Sequence, residues 1–248
     1  MEKTISIAVQ MYTLRDVAKD DMAGTLKSVA RFGYDGVELA GFNGMSVSEL
    51  QESLSLNKLD LVSAHVGFAD LRDNVDTWCD TLKTFGAKRV TIPGISGELL
   101  EGDQLAKTAA VINDLQKKLW DAEIELSYHN HDYEFKNQRY ERLIDACPEL
   151  KFELDTYWTE FAGINSVEFM KQLGDRLALI HIKDMMKDAQ SHSTPNPNIL
   201  EGVLDIQSIL NQAINQGVEW AIVEMDTPIG NSIDAVRASR ENLRKAGY

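Results

Sequence analysis

Cysteine is scarce in this chain of 248 residues, which contains only Cys79 and Cys147. The two thiols lie in unrelated contexts and lack the spacing of a cysteine-based metal site. Such scarcity excludes a disulfide scaffold and is typical of proteins in a reducing compartment. Any metal ion must therefore be held by nitrogen and oxygen ligands.

Long apolar runs are also lacking, since no segment approaches the roughly 20 residues that cross a bilayer. The first residues, Met1 to Thr4, lead directly into a short alternating segment, without the charged and apolar regions of a secretory signal. We therefore predict a cytoplasmic protein.

Positive charge is in deficit, because 25 Lys and Arg face 39 Asp and Glu, for a net charge of −14. A surface this acidic repels nucleic acids and anionic membranes unless a basic groove compensates, and no cluster of Lys and Arg indicates one. We therefore expect no nucleic acid and no membrane among the partners of this protein.

Short β-branched runs alternate with amphipathic segments along the whole chain. This alternation predicts βαβ units around a parallel sheet. The predicted strands are residues 5–10, 36–39, 61–65, 89–92, 124–129, 152–155, 177–182 and 221–224. The clearest predicted helices are residues 22–32, 75–85, 103–122 and 204–216.

Glycines separate helical segments from the strands that follow, at Gly33, Gly86 and Gly217. Glycine suits the left-handed residue that commonly ends a helix. The length matches the roughly 250 residues of one (β/α)₈ barrel, and no Pro/Gly/Ser-rich linker interrupts the chain. We predict an α/β protein with a single domain, a (β/α)₈ TIM barrel over residues 1–248.

Polar residues stand at the predicted strand ends, where this fold places its active site. Four of the five histidines in the chain are among them. The set is Gln10, Glu38, His65, His129, His131, Asp155, His181, Lys183 and Glu224. The long polar loop at residues 187–201 follows the seventh strand, and it is either a lid over the site or a passive mobile loop.

A metal site is predicted from Asp155, His181 and Glu224 on strands six to eight, with His129 or His131 from strand five. Neighbouring strands lie about 4.8 Å apart, so their ends can surround one ion. Singly, each side chain is as well explained by a structural hydrogen bond or a helix cap. Together, buried acids without a cation would be costly. The mixed ligands suit one divalent ion: Mn²⁺, Mg²⁺, Co²⁺ or Zn²⁺.

Substrate contacts are predicted on the other side of the ring. Glu38 and His65, opposite the proposed metal, would hydrogen-bond a polyol, unless they are structural. Trp158, together with Tyr157 and Phe161, would form an apolar wall for a sugar ring, or would pack beneath the next helix.

Seven segments at these strand ends carry a family resemblance that covers nearly the whole chain. They are VQMYTLRD (9–16), GVELAG (36–41), AHVG (64–67), YHNHDYEF (128–135), FELD (152–155), HIKD (181–184) and VEMD (223–226). With them the chain resembles the sugar phosphate isomerase/epimerase superfamily of xylose-isomerase-like TIM barrels. In that family the metal is held by Glu, Asp, His and Glu from strands five to eight.

Asp155, His181 and Glu224 correspond to the last three ligands of this family set. In place of the first glutamate the chain has His129, and His131 stands at the histidine that follows that glutamate in many members. Epimerising members commonly exchange the proton between two glutamates on opposite faces of the substrate. Of these two glutamates this chain has only Glu224, and the second proton-exchanging group would be His129, His131 or Lys183. The resemblance also expects a glycine where Leu200 stands.

The resemblance implies a metal-dependent isomerase or epimerase that acts on a sugar, sugar phosphate or keto-sugar through an enediolate, with Lys183 holding a substrate oxygen or phosphate. The alternatives are a lyase that dehydrates a keto-inositol or 3-keto-glycoside, as inosose dehydratase relatives do, and a non-catalytic sugar-binding barrel. Homo-oligomers are possible. Endonuclease IV-like relatives with three zinc ions would require a histidine at position 158, where this chain has Trp158.

Overall fold

The computed structural model describes residues 5–248, which form eight parallel strands in a nearly closed barrel. The strands are β1 (Ser6–Gln10), β2 (Gly36–Leu39), β3 (Asp60–Ala64), β4 (Arg89–Ile92), β5 (Glu125–His129), β6 (Lys151–Asp155), β7 (Leu177–Ile182) and β8 (Trp220–Val223). Their order in the sheet is β3-β2-β1-β8-β7-β6-β5-β4. The predicted TIM barrel is confirmed, and each strand lies within one residue of its predicted bounds.

The two end strands of this order meet through a single bridge between His65 and Thr91. There the backbone N–H of Val66 donates to the carbonyl oxygen of Thr91 at 2.9 Å. This contact brings β3 beside β4, so that side chains from both ends of the sheet reach the barrel axis.

The helices surround the barrel. They are α1 (Arg15–Ala18), α2 (Met22–Phe32), α3 (Val47–Asn57), α4 (Phe68–Asp73), α5 (Val75–Phe85), α6 (Gly102–Asp121), α7 (Arg139–Ala146), α8 (Thr156–Phe161), α9 (Ser166–Leu173), α10 (Ile206–Gln216) and α11 (Ser232–Lys245). The structure confirms the predicted bounds of α2 and α5. Helix α10 begins two residues later than predicted, because the carboxylate of Asp205 accepts from the backbone N–H of Ser208 at 3.0 Å and caps the helix there.

The predicted glycines end helices α2, α5 and α10 in the left-handed conformation, with φ of 87° at Gly33, 68° at Gly86 and 81° at Gly217. Leu200 adopts the same region, with φ of 70°. The backbone therefore has the conformation that favours glycine at the position where the resemblance expects one. None of the helices within residues 5–248 combines the length and the apolar character needed to cross a membrane.

The inside of the barrel is apolar at the bottom and polar at the top. A small buried cluster, separate from the main core, consists of Ala8, Val62, Leu179 and Ile222. Leu179 and Ile222 lie two residues before His181 and Glu224, so on each strand they share a face with those polar residues, one layer lower. The apolar layer thus forms the floor of the polar site.

A close backbone approach at Gly36 gives a test of this packing. A methyl group there would lie 2.7 Å from the carbonyl oxygen of Asp60 and 2.9 Å from Cγ2 of Val62. We expect Gly36→Ala to lower the free energy of unfolding by about 1–3 kcal/mol, measured by urea unfolding.

Gly67→Ala is the matched control for that substitution. A methyl group at Gly67 meets no atom of residues 5–248 within 4 Å, and its φ is −57°. Alanine restricts the unfolded chain more than glycine does, and this gain offsets its weaker capping of helix α4. The free energy of unfolding should therefore change by less than about 1 kcal/mol. Equal unfolding midpoints for the two variants would contradict the close packing at Gly36.

Candidate metal centre and active site

Four predicted ligands meet at the ends of β5 to β8: His129, Asp155, His181 and Glu224. One ligand atom from each lies within 4.8 Å of those of the other three, and all four residues are buried. Nδ1 of His181 lies 2.8 Å from Oε2 of Glu224, and Nε2 of His129 lies 3.6 Å from Oδ2 of Asp155. We call these four residues the upper cluster.

The carboxylate of Asp155 has two different roles. Its Oδ1 accepts from the backbone N–H of Trp158 at 2.9 Å and caps helix α8, as a strand-end aspartate often does. Its buried Oδ2 has no hydrogen-bond partner within residues 5–248. One oxygen therefore orients the side chain, and the other faces the upper cluster, where Nζ of Lys183 lies 3.0 Å away.

Lys183 brings a positive charge into the upper cluster. Its side chain is fully buried, and Nζ lies 3.0 Å from Oδ2 of Asp155, 2.9 Å from Oε2 of Glu224 and 2.7 Å from Oδ2 of Asp226. Burial alone would lower the pKa of Lys183, but the three carboxylates outweigh it and raise the pKa well above its usual value. The fold thus supplies a cation of its own to these acids.

The ligand set fits a divalent ion. Two imidazoles and two carboxylates are common ligands of Zn²⁺, Co²⁺ and Mn²⁺. Burial raises the pKa of Asp155 to about 6, and Lys183 and His181 limit the rise. In contrast, Lys183 and His181 overcome the burial of Glu224 and lower its pKa. An ion held here would share both carboxylates with the ammonium of Lys183.

A second group of side chains lies one layer deeper. Oε2 of Glu38 lies 2.7 Å from Nε2 of His181 and 3.1 Å from Nε2 of His65. Oε2 of Glu153 lies 2.7 Å from Nε2 of His65, and 3.2 Å from both Nε2 of His181 and Nδ1 of His129. We call Glu38, His65, His129, Glu153 and His181 the deep cluster.

Glu38 and His65 were expected opposite the proposed metal, but both lie against His181. Glu38 is completely buried, and its Oε2 also accepts from Nε2 of Gln10 at 2.7 Å. The reason is that side chains from β2 and β7 meet at the narrow barrel axis. Glu153 was not among the predicted site residues, and its position two residues before Asp155, on the same face of the strand, was the available signal.

The histidines of the deep cluster differ in charge. Burial opposes protonation of all three, but Glu38 and Glu153 raise the pKa of His65 to about 10 and that of His181 well above its usual value. Burial and the neighbouring His181 keep the pKa of His129 well below its usual value. Without another cation, His65 and His181 therefore balance the two glutamates.

A cavity of about 340 Å³ opens above both clusters. It is lined by Tyr12, Ala40, His65, Pro93, His129, His131, Glu224 and Asp226. Glu38, Trp158 and Lys183, three of the predicted substrate contacts, are not among these residues. Tyr12 and Asp226 were missed, although each lies two residues after a strand-end polar residue, Gln10 and Glu224.

The aromatic residues form one wall beside the cavity. The ring of His131 lies 5.7 Å from that of Tyr133 and 5.8 Å from that of Trp158. The Trp158 ring lies 5.4 Å from Nζ of Lys183, which it covers. Burial, and next the charge of Lys183, lower the pKa of His131 to about 4, so its imidazole is neutral near pH 7.

The polar loop at residues 187–201 packs against this wall. Nε2 of His192 lies 2.9 Å from Oδ1 of Asp132, and its ring lies 4.7 Å from the Trp158 ring. The backbone N–H of Asn196 donates to the carbonyl oxygen of Thr227 at 2.7 Å. These contacts hold the loop at the carboxyl ends of the strands, beside the candidate site.

The fold and the strand-end clusters define a (β/α)₈ barrel with its candidate site at the carboxyl ends of the strands. The chain belongs to the xylose isomerase-like TIM barrel family, which it matches over residues 26–246. No curated protein matches the sequence.

Several solved structures are similar to this chain along nearly its whole length. A sugar phosphate isomerase/epimerase from Parabacteroides distasonis has 20% identity and a TM-score of 0.83, over 98% of this chain and 94% of that one. The IOLI protein, solved with a bound zinc atom, has 15% identity and a TM-score of 0.77, over 97% of each chain. The probable 3-DHS dehydratase AsbF from Bacillus anthracis has 13% identity and a TM-score of 0.77, over 97% of this chain and 99% of that one.

Proposed function

We propose that this protein is a divalent-metal-dependent isomerase or epimerase of a sugar or keto-sugar. The observation that carries the proposal is the upper cluster, in which two histidines and two acids converge beside a cavity of about 340 Å³. A cavity of that size suits a monosaccharide-sized ligand. The names of several similar structures, which include an isomerase/epimerase and a zinc-bound protein, agree with it.

His129, Asp155, His181 and Glu224 would hold the ion, which would polarise a substrate carbonyl as a Lewis acid. Glu224 lines the cavity, and its lowered pKa keeps it ionised near pH 7, so it can take a proton from the carbon beside that carbonyl. Lys183 stabilises the charged form of Glu224 from 2.9 Å.

The second group that exchanges the proton is His131. Both ring nitrogens of His129 face carboxylates, at 3.2 and 3.6 Å, and Lys183 is held by three carboxylates. His131 also lines the cavity, and in the described part of the chain its Nδ1 has no partner. Return of the proton from Glu224 to the neighbouring carbon would give isomerisation. In epimerisation His131 would first take up a proton from solvent and give it to the other face, and Glu224 would release the proton that it took to solvent.

The substrate is an uncharged sugar or keto-sugar rather than a sugar phosphate. Among residues 5–248, neither Lys nor Arg lines the cavity, whereas Glu224 and Asp226 do. Arg15 stacks on Tyr12, with 4.0 Å between its Cζ and the ring centroid, and donates to the backbone oxygens of Tyr12 and Asp226. A phosphate group in the cavity would meet two carboxylates before any basic side chain.

A dehydratase is the second candidate, favoured by the histidine in place of the first glutamate of the family pattern. With His129 in that place, Glu224 would take the proton from carbon and return it to the departing hydroxyl group, which leaves as water, while the neutral His131 at the cavity wall donates a hydrogen bond to that oxygen. A keto-inositol or a 3-keto-glycoside would then lose water after the same first proton abstraction.

The test is exchange of substrate C–H for deuterium in D₂O, followed by NMR. The panel contains ketoses, keto-inositols, 3-keto-glycosides and the phosphate esters of the ketoses, each with and without added Mn²⁺. We expect exchange with an uncharged member, its loss after chelation, and its return when Mn²⁺ is restored. A non-catalytic sugar-binding barrel would bind a sugar without exchange, and exchange confined to phosphate esters would contradict the uncharged substrate.

A further inference from the structure

We infer that the deep cluster is a second binding site for a divalent transition-metal ion, separate from the upper cluster. Its donors come from five strands or strand ends, and none of its residues is more than slightly exposed. Four of them, His65, His129, Glu153 and His181, have ligand atoms within 4.8 Å of one another. Glu38 provides a fifth donor.

The spacing of the donors matches that of metal ligands. The nitrogens of His65, His129 and His181 lie 2.7, 3.2 and 3.2 Å from the same Glu153 oxygen. Ligand atoms around zinc, with bonds of about 2.0–2.1 Å, are separated by about 3.4 Å in a tetrahedral site. Outward shifts of a few tenths of an ångström would therefore admit the ion between them.

Unpartnered buried oxygens point to the same conclusion. Oε1 of Glu38 and Oε1 of Glu153 are both buried without a hydrogen-bond partner in residues 5–248. Such oxygens are costly unless a donor or a cation reaches them. Once a bound ion has displaced the imidazolium protons of His65 and His181, three neutral imidazoles and two carboxylates carry a charge of −2, which one divalent ion neutralises.

The two clusters share His129 and His181 but use opposite ring nitrogens. Nε2 of His129 faces Asp155 and its Nδ1 faces Glu153, at 3.6 and 3.2 Å. Nδ1 of His181 faces Glu224 at 2.8 Å, and its Nε2 faces Glu153 at 3.2 Å. The two imidazoles would therefore bridge the sites when both ions are bound, each as an imidazolate whose N–H proton is released to solvent. An ion in the deep cluster would orient both rings for the upper one.

An ion can reach the deep cluster from the substrate cavity, because His65 and His129 line it. Three imidazoles beside two carboxylates favour late first-row ions such as Zn²⁺, Co²⁺ or Fe²⁺ over Mg²⁺. The upper cluster, with two carboxylates among four ligands, has a larger share of oxygen than the deep cluster, with two among five. The deep site therefore has its own ligand chemistry as well as its own position.

The test uses residues that belong to one cluster only, which are Glu153 and His65 for the deep site and Asp155 for the upper one. Wild type, Glu153→Gln and Asp155→Asn are stripped with chelator, loaded with zinc, desalted and analysed by mass spectrometry. We expect two ions per chain in the wild type and one in each variant. Glu125→Gln, a partly exposed change on the same strand as His129, should keep both ions.

Zinc X-ray absorption spectroscopy identifies which ion remains. Asp155→Asn should show three imidazole ligands around zinc, and Glu153→Gln at most two. The absorption spectrum of Asp155→Asn settles the matter even if Glu153→Gln does not fold, and His65→Gln serves as a second deep-site variant.

The inference fails if the wild type binds only one ion and that ion is lost from Asp155→Asn but kept by Glu153→Gln. It fails likewise if the wild type binds only one ion and both variants lose it. It also fails if zinc does not bind at all. A single ion that only Glu153→Gln and His65→Gln lose would support the deep site. In that case the upper site would hold no ion, and the proposed reaction would lack the metal that it needs.

Discussion

Replacing Glu224 by glutamine is expected to abolish turnover while leaving metal binding weakened but measurable. Glu224 is ionised near pH 7 and lines the cavity, and no other carboxylate of the upper cluster does so. Loss of a general base costs about 10²- to 10⁴-fold in rate, whereas the amide oxygen of glutamine remains a weak ligand. The measurements are the rate of deuterium exchange and a zinc titration of the same preparation.

Glu219→Gln is the matched control for this substitution. Glu219 lies just before β8, with its side chain 71% exposed and 3.4 Å from Arg89. Exposed ion pairs contribute little to the stability of a fold, so this variant should keep the activity of the wild type. If Glu224→Gln retains near-native exchange, the assignment of Glu224 as the base is wrong.

Replacing Lys183 by methionine is expected to destabilise the metal-free protein strongly and to tighten its binding of a divalent ion. The substitution leaves Asp155, Glu224 and Asp226 without the ammonium that lies within 3.0 Å of each. Removing one partner of a buried ion pair costs about 3–5 kcal/mol. A metal ion can replace the lost charge, so added Zn²⁺ should restore most of the stability.

The measurement is denaturant unfolding with and without zinc, accompanied by a titration of zinc affinity. Lys136→Met is the matched control, because Lys136 pairs with Asp132 at 3.0 Å but its side chain is 64% exposed. That variant should lose less than about 1 kcal/mol and keep its zinc affinity. Equal losses for the two variants, or weaker zinc binding in Lys183→Met, would contradict the role given to Lys183.

The barrel was predictable because its signals are local. Eight apolar runs of strand length, separated by amphipathic helices, permit few arrangements other than a parallel barrel. The glycines at positions 33, 86 and 217 mark helix ends through a preference of single residues. The ends of the strands are the catalytic side of this fold, so Asp155, His181 and Glu224 could be grouped without coordinates.

The contacts across the barrel were not predictable in the same way. That Glu38 on β2 touches His181 on β7, and that Glu153 touches three histidines, depends on strand tilt and on side-chain rotamers near the axis. The pairing of Lys183 with Asp226 likewise depends on how the segment after β8 turns. Alternation along a strand gives the face of a residue but not its neighbours from other strands.

The sequence by itself therefore determined the fold class and which face of each strand carries the polar groups. Both follow from periodicity and from the preferences of single residues. The tertiary structure alone decided which of those groups share a site, because that depends on distances of about 3 Å between side chains remote in sequence. It separated one expected ring of polar residues into an upper cluster with its own ammonium group and a deep cluster of three histidines and two glutamates.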